Sequence, residues 1–129
     1  MDRRQQIENI IIGTLLNDTE DFDWYSECKS CISPSMFQEA RNMRIYTTIA
    51  QMKSRGLEST TPADIMEYDK GMADLAGYMF DIAIDNHFYT KKARYNSNLY
   101  YTCPERHPNY TQVTFTDYVN RFVKLVYSS

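Results

Sequence analysis

At 129 residues the chain is long enough for one domain with a substantial core. Its 43% hydrophobic content and mean hydropathy of -0.57 suit a globule, and no apolar run approaches the roughly 20 residues of a membrane helix. A net charge of -3 and a pI near 5.3 argue against a general phosphate-binding surface, because nucleic-acid affinity comes largely from Lys and Arg, although a local patch stays open.

The first six residues lack the apolar stretch of a secretory signal, so the chain reads as cytoplasmic. Three cysteines, an odd number without an export signal, argue against a disulfide framework. Eleven tyrosines supply side chains that combine apolar area with a polar tip, the type favoured at interfaces.

Ile7, Ile10, Ile11 and Leu15 recur at three- and four-residue spacing and predict a helix over 3–16. Asn17 and Asp18 interrupt it, and Thr19 or Asp21 caps a short second helix carrying Phe22, Trp24 and Tyr25. Ser33 before Pro34 is a start signal, Ser as N-cap and Pro at the first helical position, for a short helix holding Met36 and Phe37. Residues 40–55 carry an apolar stripe of Met43, Tyr46, Ile49 and Met52 and end in Arg55 and Gly56, a basic last turn followed by a C′ glycine. Thr61 and Pro62 open the next helix, with Ile65, Met66 and Tyr68 inward and Gly71 as its end. Residues 75–84 form another, with Leu75, Met79, Ile82 and Ala83 inward.

Residues 86–114 break the helical period. They hold five tyrosines and two prolines, and a stretch of this length without regular structure is usually functional, locally ordered or mobile. Residues 111–115 read as extended, as half of a β-hairpin with 99–102. A last helix over 116–126 places Val119, Phe122, Val123 and Val126 on one face. The expected architecture is a single all-α domain over 1–129: a small orthogonal helical bundle with a Tyr-rich insertion at 86–114.

Several of these signals occur in a familiar order. Glu8 precedes an apolar helix closing on Gly13, Leu15 and Leu16; Ser33, Pro34 and Phe37 follow. Asn42 stands five residues after Phe37, then Ile45, Tyr46 and Ile49, then Gly56. Ala76 and Gly77 precede a helix with Phe80 close to an expected aromatic, and Tyr118 leads to Phe122 and Val123. In this order the chain resembles the N-terminal domain of DnaB-type replicative helicases, over roughly 5–84 and 115–127. It departs from that pattern at Met43, where an Arg is usual, near Thr60 and Pro62, where one residue is extra, and at 86–114, which replaces a much shorter loop. The helical hairpin and the ATPase domain that follow the bundle in that family have no counterpart in these residues.

The resemblance implies a scaffold without chemistry of its own. The family's domain pairs subunits around the helicase ring and docks primase and, in some systems, loaders, so a homodimer and protein partners are expected. Candidate contact residues are Tyr100, Tyr101, Tyr118 and Phe122, on the insertion and the last helix. None of the glycines at 13, 56, 71 and 77 opens a G-x-x-x-x-G-K-[ST] loop, so no nucleotide-phosphate cradle, cofactor or catalytic residue is expected.

Two other readings use residues outside that pattern. Lys91, Lys92, Arg94 and Tyr95 interleave aromatics with positive charge; four Lys and Arg against one Glu give 86–114 a charge of +3 and leave the remainder at -6. Such a segment suits single-stranded nucleic acid, although a solvated or protein-docking loop has the same composition. Cys28 and Cys31 in a C-x-x-C, with Cys103 and His107, make a candidate Cys3His zinc site and hence a zinc-stapled structural protein. Their separation of about 70 residues is far outside the usual zinc-finger range, and buried apolar cysteines are the plainer reading. The carboxylates Asp18, Glu20, Asp21 and Asp23 sit near expected helix N-termini, where negative charge is favoured.

Overall fold

The first helix is surrounded. The computed structural model describes residues 3–20, 23–85 and 112–128, with side chains from 115 in the last stretch. α1 (Arg3–Leu15) buries Ile7, Ile11 and Leu15 as expected, and also Glu8, Asn9, Ile12, Gly13 and Thr14. Ile10 is only partly covered. A single apolar face is therefore too narrow a description, because α1 receives three other helices around its circumference.

After α1 the chain turns at Leu16–Asp18. The expected second helix is reduced to a 3₁₀ turn, Tyr25–Glu27, preceded by a buried Trp24. The Asp18 carboxyl accepts from the amides of both Trp24 and Tyr25, 3.0 Å each, and side-chain capture of this kind competes with helix extension. Asp21 and Phe22 lie outside the described residues. Ser33 and Pro34 start only one 3₁₀ turn, Pro34–Met36; Pro34 takes its expected place, but Ser33 makes no capping bond.

α2 (Ala40–Ser54) buries Asn42, Ile45, Tyr46, Thr48, Ile49 and Met52. Met43 is exposed, so the inward stripe is rotated toward Asn42 and Ile45. α3 (Pro62–Tyr68) begins at a complete capping box between Thr61 and Asp64 and stops at Asp69 instead of Gly71. A 3₁₀ segment, Lys70–Leu75, leads into α4 (Ala76–Asp85); Leu75 at the end of the first and Met79, Ile82 and Ala83 in the second face inward as the periodicity predicts.

α5 (Gln112–Ser128) starts four residues before the expected position. Residues 112–115 are helical, so the proposed hairpin loses its second strand; its other half, 99–102, lies outside the described residues. The reason is packing: Phe115, Val119 and Phe122 recur at helical spacing and all reach the core, while Val123 and Val126 are partly exposed. Trp24 meets Phe115 edge-on at 5.1 Å, and Phe37 joins Tyr46 (5.0 Å) to Phe122 (5.1 Å, stacked). α2, α4 and α5 thus pack around α1, an all-α bundle with no sheet among the described residues. No helix among them is long and apolar enough to cross a membrane.

Candidate docking surface

Residues picked out by their order in the sequence meet at one buried polar cluster. Glu8 on α1 accepts from the amides of Gln38 (3.1 Å) and Glu39 (3.0 Å), the segment that leads into α2, and from Asn42 Nδ2 (3.1 Å). Asn42 Nδ2 also donates to Asn9 Oδ1 at 3.0 Å, and its Oδ1 accepts from the Tyr78 hydroxyl at 2.6 Å. Buried polar groups are stable only when paired, and here α1, α2 and α4 supply the partners. Arg41 lies 3.9 Å above the Tyr78 ring and closes the cluster from outside. Burial pushes the Tyr78 hydroxyl up to about 12.

A second polar junction lies at the other end of α1. Asp18 is wholly buried and pairs with Lys53 at 3.1 Å in addition to its two amide donors. Burial pushes its carboxyl up to about 7, against the lowering by Lys53 and those amides. Its backbone carbonyl accepts from the Thr60 amide at 3.0 Å, and the Thr60 hydroxyl reaches Leu15 O at 2.8 Å. These groups are occupied with one another; they hold elements together.

The surface carries the other signal. α4 turns Met79, Ile82 and Ala83 inward and leaves Phe80 45% and Ile84 68% exposed, one turn apart, with Asp81 and Asp85 beside them. At the end of α5 Tyr127 is 75% exposed. Exposed aromatic and branched apolar side chains of this kind are typical anchors of protein contacts.

The model of one protein family, the DnaB-like helicase N terminal domain, matches residues 1–79. The chain belongs to the DnaB-like helicase N-terminal domain family. No curated protein and no solved structure matches it. The match spans α1, α2, α3 and the start of α4, and Glu8, Asn9, Asn42 and Tyr78 all fall within it. The buried cluster thus lies within the matched residues, whereas the exposed end of α4 and all of α5 lie beyond the match. The chain is a replicative-helicase-associated domain.

The predicted site residues divide accordingly. Tyr118 is half-buried beneath Arg121, 5.1 Å over its ring. Phe122 is fully buried against Phe37, so its expected role as a contact residue gives way to a core role. Tyr100, Tyr101, Lys91, Lys92, Arg94 and Tyr95 lie outside the described residues, as do Cys103 and His107. Cys28 is buried with its Sγ 3.9 Å from Trp24 O, and Cys31 is half-buried; neither is in a disulfide. Burial holds the Cys28 thiol well above its ordinary range and, with Glu27, raises Cys31. Among the described residues no three His, Cys, Asp or Glu side chains are grouped to hold a metal. Phe80 and Ile84 were missed as surface residues, although the period that places Met79 and Ile82 inward also places them outward.

Proposed function

We propose that this chain is a non-enzymatic interaction module of the replication machinery. It acts as a homodimer that docks a replicative helicase, a primase or a helicase loader, with the Phe80 and Ile84 face of α4 as the contact. The family match over residues 1–79 carries the reading. Two observations support it. The buried polar groups of Glu8, Asn42 and Asp18 are consumed in joining helices. The exposed apolar side chains of α4 stand outside the core and are available to a partner.

The test is light scattering on size-exclusion runs of the chain alone and mixed with the host's helicase, primase or loader. The expected result is a mass of two copies alone and co-elution with one of these proteins, lost in the Phe80→Ser, Ile84→Ser double variant. A monomer that co-elutes with none of them would overturn the reading.

A further inference from the structure

We propose that the turn after α2 is a second docking site, one that takes a basic amphipathic segment of a partner protein with Leu57 as its apolar anchor. The site follows from the way α2 ends. Gly56 adopts a φ of 80°, its amide donates to Lys53 O, and the Leu57 amide donates to Met52 O, both at 3.0 Å. These are the two bonds of a Schellman motif, in which the residue after the glycine ordinarily packs back on the helix. Here Leu57 is 43% exposed. The turn is also braced beyond the motif: Lys53 Nζ donates to Glu58 O at 2.7 Å, and Ser59 donates to Asp64. Leu57 is therefore held out on a fixed support, and little conformational freedom is lost when it is covered.

Two grooves, of about 480 and 460 Å³, meet at this turn and share Glu20, Gly56, Leu57 and Glu58. One runs toward Asp23, Tyr25 and Lys29, the other toward Met52, Glu67 and Tyr68. Their rims carry four exposed carboxylates, Glu20, Asp23, Glu58 and Glu67, of which Asp23 is paired with Lys53 and, among the described residues, the other three are open. Against these stand the exposed Lys29 and, 5.5 Å over the Tyr68 ring, Arg55. Lys53 also lines the first groove, but it is engaged by Asp18 at 3.1 Å and Asp23 at 3.6 Å. An apolar anchor inside an acidic rim selects the opposite arrangement: apolar side chains flanked by Lys or Arg. The grooves share no lining residue with the Phe80 and Ile84 face, so this site goes beyond the docking proposed for α4.

The test is titration of the full ¹⁵N-labelled chain with a short synthetic helix made only of leucine and lysine, and with its leucine and glutamate counterpart. Saturable amide shifts centred on Gly56, Leu57, Glu58 and Tyr68 are expected, with the lysine peptide bound roughly tenfold more tightly than the glutamate peptide. Leu57→Ser, an exposed change that leaves the fold and all charges in place, is expected to weaken lysine-peptide binding about fivefold, and Glu58→Lys with Glu67→Lys at least as much. Shifts centred on Phe80 and Ile84, equal binding of the two peptides, or unchanged affinity in Leu57→Ser would each overturn the proposal.

Discussion

Single side chains join this fold across large sequence distances. Glu8 serves three donors with two oxygens, so Glu8→Gln turns an amide N–H₂ toward at least one of them. We expect a loss of about 1–3 kcal/mol, the cost of leaving a buried polar group unpaired, measured by urea unfolding. Asp18 yields a pH prediction of definite sign. Its folded carboxyl titrates near 7 and its unfolded one near 4, so between those limits the folded state holds the extra proton. Its contribution to stability is therefore greatest at low pH, falls as pH rises from about 4 to about 7, and is level above that. Glu39 and Asp74, held low by Arg41 and Arg44, act in the opposite sense, and their contribution is lost as pH falls below the ordinary carboxylate range. Thermal midpoints of Asp18→Asn should lose the decline between pH 4 and 7 while keeping the acid limb. An unaltered decline would show that another group is responsible.

At the scale of elements, helix ends are where the sequence speaks most locally. The Thr61 hydroxyl accepts from the Asp64 amide while Asp64 accepts from the Thr61 amide, and Pro62 occupies the first turn, where no N–H is needed. Thr61→Ala should cost about 1 kcal/mol in thermal or urea unfolding. Gly56→Ala meets no steric neighbour at its Cβ, yet places a side chain at φ 80°. It should cost roughly 1–2 kcal/mol from backbone conformation alone, and a neutral result would mean that the turn relaxes. Both positions were legible because the cap and the helix it serves are within a few residues of each other.

At the scale of the whole molecule, the rings of Trp24, Phe37, Tyr46, Phe115 and Phe122 tie α5 to α2 and to the segment between α1 and α2. Phe122→Ala should therefore cost about 3–5 kcal/mol, and Tyr118→Ala, on a half-buried ring, much less. Equal losses would mean that α5 is not seated as described. Changes at Phe80 and Ile84 belong to a different class: they should alter association and leave the unfolding midpoint nearly unmoved, since neither side chain contributes to the core.

The sequence by itself determined the helical class, the ends marked by Thr61, Pro62 and Gly56, the inward face of α4, and the family. These rest on the 3.6-residue period and on caps, signals carried by neighbouring residues. Only the tertiary structure decided that Glu8, Asn42 and Tyr78 form one cluster, that α1 is buried on more than one face from Ile7 onward, that Phe122 is core, and that α5 begins at Gln112. Much of the expected site lies in 86–111, and of the two contact residues that are described one remains half-exposed. The cluster, the burial of α1, the seat of Phe122 and the start of α5 each depend on partners 30 or more residues away, as Asn42 is 34 from Glu8. Whether a polar side chain ends as a buried link or a surface contact is set by what the fold brings against it, and local spacing carries no record of that.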